Sequence, residues 1–115
     1  MAWRAAALRE LVEEAGVWFG PVTYSLRPEE RPHGLDVYRR AADAGHALGA
    51  AAMEWFSNWV TPTSVPVRFD TRFYVAITDA GVDGVEDGQE MDAVAWVEPR
   101  EALERAAAGR FLLPL

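Results

Sequence analysis

Arg9-Glu10-Leu11-Val12-Glu13-Glu14-Ala15-Gly16-Val17 is the stretch on which the reading of this 115-residue chain turns. Ala7, Leu8, Leu11, Val12 and Ala15 recur at helical spacing, which predicts a helix from roughly Trp3 to Ala15 that stops at Gly16. On such a helix Glu10, Glu13 and Glu14 stand at i, i+3 and i+4 and project from one face. Three like charges so placed repel, by about 0.2–0.5 kcal/mol per pair on a solvated helix. An ordinary acidic surface tolerates that cost, so charge alone does not separate a plain helix from a site. A hard divalent cation such as Mg2+ or Mn2+ would reverse the sign. It takes an octahedral oxygen shell, and three carboxylates can fill part of it while leaving positions for water and phosphate.

Composition narrows the classes outside this stretch. Half of the residues are hydrophobic and 13 are aromatic, counting five Trp, five Phe and three Tyr, which excludes global disorder. There is no cysteine, so disulfide scaffolds, zinc ribbons and thiol nucleophiles fall away, and a metal would need carboxylates, carbonyls or the two histidines. A net charge of −7 is a poor footprint for duplex nucleic acid. All 11 basic residues are arginines, which suit planar, bidentate contact with phosphate or carboxylate. No apolar run approaches membrane-spanning length, and the N-terminus lacks a secretory pattern, so a cytoplasmic protein is expected. His33 and His46 are read as ordinary loop and helix residues.

Beyond the opening helix, Val17-Trp18-Phe19 is an apolar run closed by Gly20-Pro21, and Ser25 to Gly34 reads as an exposed loop. A second helix is predicted from about Leu35 to Phe56, on the spacing of Val37, Ala41, Ala44, Leu48, Ala51, Ala52, Trp55 and Phe56. Arg68 to Ile77 is aromatic and β-branched, the strongest strand in the sequence. An acidic, glycine-rich loop follows over 78–90, then a second strand over Met91–Val97, and a helix opening at Pro99 and ending at Gly109. The sum is a mixed α/β chain, read as a single domain over 1–115.

The stretch at Arg9–Val17 resembles the second half of the Nudix hydrolase box, Arg-Glu-aliphatic-any-Glu-Glu-any-Gly-aliphatic, at every fixed position: Arg9, Glu10, Leu11, Glu13, Glu14, Gly16 and Val17. Trp59-Val60-Thr61-Pro62 and Arg68-Phe69-Asp70-Thr71-Arg72-Phe73-Tyr74 resemble the Trp-x-Thr-Pro and Arg-Phe-Asp-Thr-x-Phe-aromatic signatures of one branch of that family, which includes a coenzyme A diphosphatase. The resemblance implies a Nudix-like α/β/α sandwich and hydrolysis of a nucleoside diphosphate linked to another group, with a coenzyme A-like substrate as the specific candidate and Mg2+ or Mn2+ as cofactor. It implies Glu10, Glu13 and Glu14 as the metal face, Arg9 orienting a carboxylate, and one of the glutamates, with Glu10 taken as catalytic, deprotonating the attacking water. Glu90 is the candidate for a further metal ligand from a late loop, with Glu86 second.

The resemblance is interrupted on the N-terminal side. Counting back eight residues from Arg9 places the box's first glutamate at Met1, and the box glycine would precede residue 1. The strands that come before the box in the family have no counterpart either, which predicts an uncovered apolar face on the first helix and, from that, a homodimer. Three explanations stay open: a start at an internal methionine, a remnant that keeps shape without activity, or a dimer that rebuilds the sheet. The alternative to an enzyme is therefore a dimeric Nudix-fold remnant that binds a nucleotide or a protein. An unrelated acidic helical interaction module is the third reading.

Overall fold

The computed structural model describes residues 2–44, 48–79, 82–88 and 94–109. Helix α1 spans Ala2–Ala15, and the short strands β1 (Val17–Trp18) and β2 (Tyr24–Ser25) pair antiparallel behind it. Helix α2 covers Leu35–Ala44, strands β3 (Glu54–Val60) and β4 (Asp70–Val75) form an antiparallel hairpin, and α3 covers Pro99–Ala107. The result is a mixed α/β fold with two small sheets among the described residues. Among the described residues no helix is long and apolar enough to cross a membrane.

Helix α1 is the axis of the core. Leu8 and Val12 are one turn apart on its apolar face, and both are fully buried. Val12 packs with Trp18, Leu26 and Val37, so it joins α1 to β1 and α2. Leu8 packs with Phe19 and Met53, with Tyr74 of β4 against the same cluster. The uncovered face expected on this helix is therefore not found. Exposed large apolar side chains include Trp3 at the start of the helix, but among the described residues most lie on the hairpin and the segments after it, as at Trp55, Phe56, Phe69, Ile77 and Trp96. Among the described residues, α3 packs against no other helix or strand.

The predicted second helix is half right. It ends at Ala44, and Glu54–Val60, including Trp55 and Phe56, is a strand. The misleading signal has a physical origin in a β-bulge between Trp55 and Ser57, which leaves Phe56 as the extra residue and breaks the alternation of the strand. In the sequence, Trp55 and Phe56 continue the spacing of Leu48, Ala51 and Ala52, and so read as helix. The aromatic partners of β3 lie across the hairpin, where Phe73 meets Trp59 edge-on at 5.9 Å and Phe56 at 6.4 Å between ring centroids. Upstream, Gly49 lets the chain pass close to Phe19. Its amide donates to the Phe19 carbonyl at 2.9 Å, and a Cβ there would stand 2.6 Å from the ring.

The strand predicted at 68–77 is present as Asp70–Val75, and the helix opening at Pro99 is present as drawn, with Gly109 beyond its end at φ +74°. The strand predicted at 91–97 is not supported where it can be followed. Residues 91–93 lie outside the described residues, and 94–97 is not part of a ladder. Trp96 donates its indole N–H to the Val82 carbonyl at 2.6 Å, so a side chain rather than backbone pairing ties this segment down.

Candidate functional site

The site is organised around the last turn of α1, where the chain must leave the helix and return under it. Gly16 does this at φ +66°, in the left-handed region that favours glycine. Its amide closes on the Val12 carbonyl at 3.0 Å, and its own carbonyl accepts from Leu26 at 2.6 Å. Arg31 fills the angle beneath. Predicted as part of an exposed loop, it is buried, and its guanidinium donates to the carbonyls of Leu26 (3.3 Å), Glu13 (3.3 Å), Glu14 (3.5 Å) and Val85 (2.5 Å). A cation on the exposed carbonyls of a helix C-terminus is favoured by the helix dipole as well as by the bonds. The same arginine, with the Val85 amide donating to the Ala15 carbonyl at 2.9 Å, docks the loop 82–88 on the end of α1.

Just before this turn, Arg9 bridges two of the predicted carboxylates. Its Nη2 donates to Glu10 Oε1 at 2.7 Å and its Nη1 to Glu13 Oε1 at 2.8 Å. Glu13 Oε1 also accepts the Gly34 amide at 2.8 Å, which draws that side chain toward the start of α2. Burial raises the Glu13 carboxyl, but the Gly34 amide and the Arg9 guanidinium together outweigh it and leave the group below its ordinary value. The hydrogen bond to Glu13 in turn raises Arg9 above its own.

A folded-state pKa below the unfolded one means that Glu13 stabilises the fold above the unfolded value, and that this contribution disappears as pH falls through the folded value. Wild-type protein is therefore expected to lose stability more steeply than Glu13→Gln as pH falls from neutral through the carboxylate range. Urea midpoints at several pH values test this, and parallel pH profiles for the two proteins would refute it.

Glu10 and Glu14, one turn apart on α1, line a cavity of about 960 Å3 between that helix and β4. Its walls are mostly apolar, with Leu11, Phe19, Phe73 and Tyr74 among them, and its polar groups include Thr71, Arg72 and Thr78. Thr78 Oγ1 is buried there without a hydrogen-bond partner. A large, largely apolar recess with a few convergent polar groups is the common form of a small-molecule site. Glu13 is not on its wall, and among the described residues no group of three His, Cys, Asp or Glu side chains converges to hold a metal. The donors that fit a hard cation are thus the two carboxylates on the wall. Mg2+ is commonly held by one or two carboxylates while keeping several waters, and Glu10 and Glu14 match that set in chemistry and spacing. Glu90 lies outside the described residues. Glu86 is exposed beside the docked Val85 and does not line the cavity.

With this geometry in view, the chain was compared with known proteins. No family model matches it. A curated protein of Caenorhabditis elegans named "Putative nudix hydrolase 7" is 30% identical over 118 residues, covering 97% of this chain and 40% of the relative. The crystal structure of a NUDIX hydrolase from Alicyclobacillus acidocaldarius superposes with a TM-score of 0.76 at 30% identity, covering 93% of this chain and 53% of that one. Sequence and fold together support the Nudix hydrolase family.

The Nudix likeness takes in nearly the whole chain, while the chain spans about half the length of the solved structure and less of the curated relative. The mixed α/β fold expected from the half box is the fold found, and it matches a Nudix hydrolase structure. Two residues of the site were not singled out by sequence reasoning. Arg31 is one of four charged residues over 27–31, and nothing in its spacing marks it as buried. Arg72 occupies the unspecified position of the Arg-Phe-Asp-Thr-x-Phe pattern, so the Nudix resemblance is silent about it.

Proposed function

We propose that the chain is a divalent-metal-dependent hydrolase that cleaves a nucleoside diphosphate linked to another group, working in the cytoplasm on a small-molecule substrate. A coenzyme A-like substrate is the specific candidate, from the resemblance at Trp59–Pro62 and Arg68–Tyr74. The observation that carries the reading is the Glu10–Glu14 pair on the wall of one cavity, on the helix that bears the Nudix-like half box.

In this reading Glu10 and Glu14 hold Mg2+ or Mn2+, and Glu13 enters the set only by leaving the Gly34 amide. When bound, the cation neutralises the anhydride oxygens and makes water more acidic. Arg9 fixes the Glu10 carboxylate by its 2.7 Å bond, which restricts the directions in which that side chain can act. Glu10 accepts the proton of the attacking water as the new P–O bond forms, and the anhydride P–O bond breaks on the far side of the same phosphorus. The apolar walls limit competing water. Glu90 remains a candidate further ligand.

The test is Mg2+-dependent product release from a panel of coenzyme A, ADP-ribose, NADH, dinucleoside polyphosphates and nucleoside triphosphates. Turnover of one class by wild type and its loss in Glu14→Gln is the expected result. Absence of turnover by folded wild type, in Mg2+ and in Mn2+, would remove the hydrolase.

The exposed aromatic face of β3 and β4 favours one second reading, a dimeric binding module without turnover. Trp55, Phe56 and Phe69 are each more than half exposed, and apolar patches of this kind drive association. A sedimentation mass of two chains together with an inactive wild type would support it, and a mass of one chain would exclude the dimer.

A further inference from the structure

We propose that Arg72 binds a phosphate of the ligand at the end of the cavity away from the carboxylate pair, and so restricts the site to extended nucleotides rather than short anions. The proposal rests on the cavity as a nucleotide site, but not on any bond being cleaved there. The starting point is an electrostatic conflict. A phosphorylated ligand entering this chain of net charge −7 meets two carboxylates on the wall. Among the described lining residues Arg72 is the one basic side chain that opposes them.

Its surroundings suit that task. The guanidinium carbon stands 4.2 Å from the ring centroid of Trp3 and 5.8 Å from that of Trp55. Both rings are about half exposed, so the stack lies at an accessible edge of the cavity. Contact with aromatic rings uses the π-face of a guanidinium and leaves its N–H donors in the plane of the group, where they can meet two phosphate oxygens at once. Among the described residues no carboxylate pairs with Arg72, so an incoming anion displaces no ion pair. The rings also hold the side chain before the ligand arrives, which lowers the ordering cost of binding.

The position along α1 sets the length of the ligand. Trp3 precedes Glu10 by seven residues, which is about 10 Å along the helix axis. A group on Arg72 and a group shared with a cation on Glu10 and Glu14 are therefore well separated. A nucleoside diphosphate derivative can reach both, whereas a single inorganic phosphate reaches one. Losing a binding contact remote from the reacting bond weakens ground state and transition state together, so KM should rise while kcat holds.

The experiment uses the full chain. Binding of ADP and of adenosine is measured by titration calorimetry without metal, for wild type, Arg72→Met, Arg72→Lys and, as a surface-charge control, Arg39→Met. Methionine keeps an apolar stem between the two rings, and lysine keeps the charge. A hydrogen-bonded charge contact corresponds to about a tenfold to hundredfold change in Kd. Arg72→Met should therefore weaken ADP binding at least tenfold and leave adenosine within about twofold, with lysine recovering part of the loss and Arg39→Met unchanged. On any substrate that turns over, Arg72→Met should raise KM by a similar factor with kcat within about twofold. Unchanged ADP affinity in Arg72→Met, equal losses for ADP and adenosine, or no ADP binding by folded wild type would each overturn the proposal. An inactive wild type whose ADP binding still depends on Arg72 would remove the hydrolase while leaving this site standing.

Discussion

Replacing Gly16 by alanine is expected to destabilise the fold by about 3 kcal/mol or more, from a total that for a domain of this size is about 5–15 kcal/mol. Two independent costs add. The residue sits at φ +66°, where an L side chain costs about 1–2 kcal/mol. A Cβ there would also stand 2.4 Å from the Leu26 carbonyl oxygen and 2.5 Å from Arg31 Nε. Leu26 cannot easily retreat, because its amide is bonded to the Gly16 carbonyl at 2.6 Å. Moving Arg31 instead would strip donors from the carbonyls of Leu26, Glu13, Glu14 and Val85; the Leu26 bond is buried and the other three are part-buried, and a buried acceptor left without a partner costs about 1–3 kcal/mol. A thermal midpoint lowered by at least about 10 °C is the corresponding result, at roughly 4–8 °C per kcal/mol for a small domain. A drop of only a few degrees would mean that Arg31 has another way to satisfy this turn.

Glu14→Gln should do the opposite, sparing the fold and removing the activity. The amide is nearly the same size as the carboxylate, and the side chain is only partly buried on a cavity wall, so thermal unfolding should stay close to wild type. In the proposed site the substitution removes one of two negative oxygen ligands. With Glu10 as the sole remaining carboxylate among the described residues on the wall, metal-dependent turnover is expected to fall at least about a hundredfold, since even less direct perturbations of metal sites cost about 10–100-fold. Raising the Mg2+ concentration should restore part of the rate if weakened metal affinity is the cause. Full activity in the folded variant would show that Glu14 is not a ligand and would move the search to Glu13. The contrast with Gly16→Ala is the useful feature: one substitution lowers stability, the other lowers turnover, on residues two apart in the same half box.

That contrast also bears on what such a box encodes. Glu10 and Glu14 stand on the face of α1 that the spacing predicted, because i and i+4 positions on a helix are neighbours whatever surrounds them. Gly16 ends the helix for the reason a sequence alone suggests, the freedom of glycine in the left-handed region. The closeness of Leu26 and Arg31, which makes that position intolerant of any side chain, comes from residues 10 and 15 positions away. Glu13 shows the limit of spacing arguments: it shares the predicted face, yet the Gly34 amide draws its carboxylate elsewhere. The bulge at Phe56 shows another, since one inserted residue made a strand read as helix.

By itself, then, the sequence determined the elements whose signals are local. These are the helix at the start with its carboxylate spacing, its glycine stop, a strand within Arg68–Ile77 and the helix from Pro99. Periodicity and backbone preference act over a few residues, so they survive without knowledge of the rest of the chain. Tertiary structure alone decided what depends on distant partners: the burial of Arg31 under α1, the turning away of Glu13, the bulged register of β3 on β4 and the placing of Arg72 beside the rings of Trp3 and Trp55. Those are set by contacts across long sequence separations, where packing and hydrogen-bond satisfaction override the local pattern.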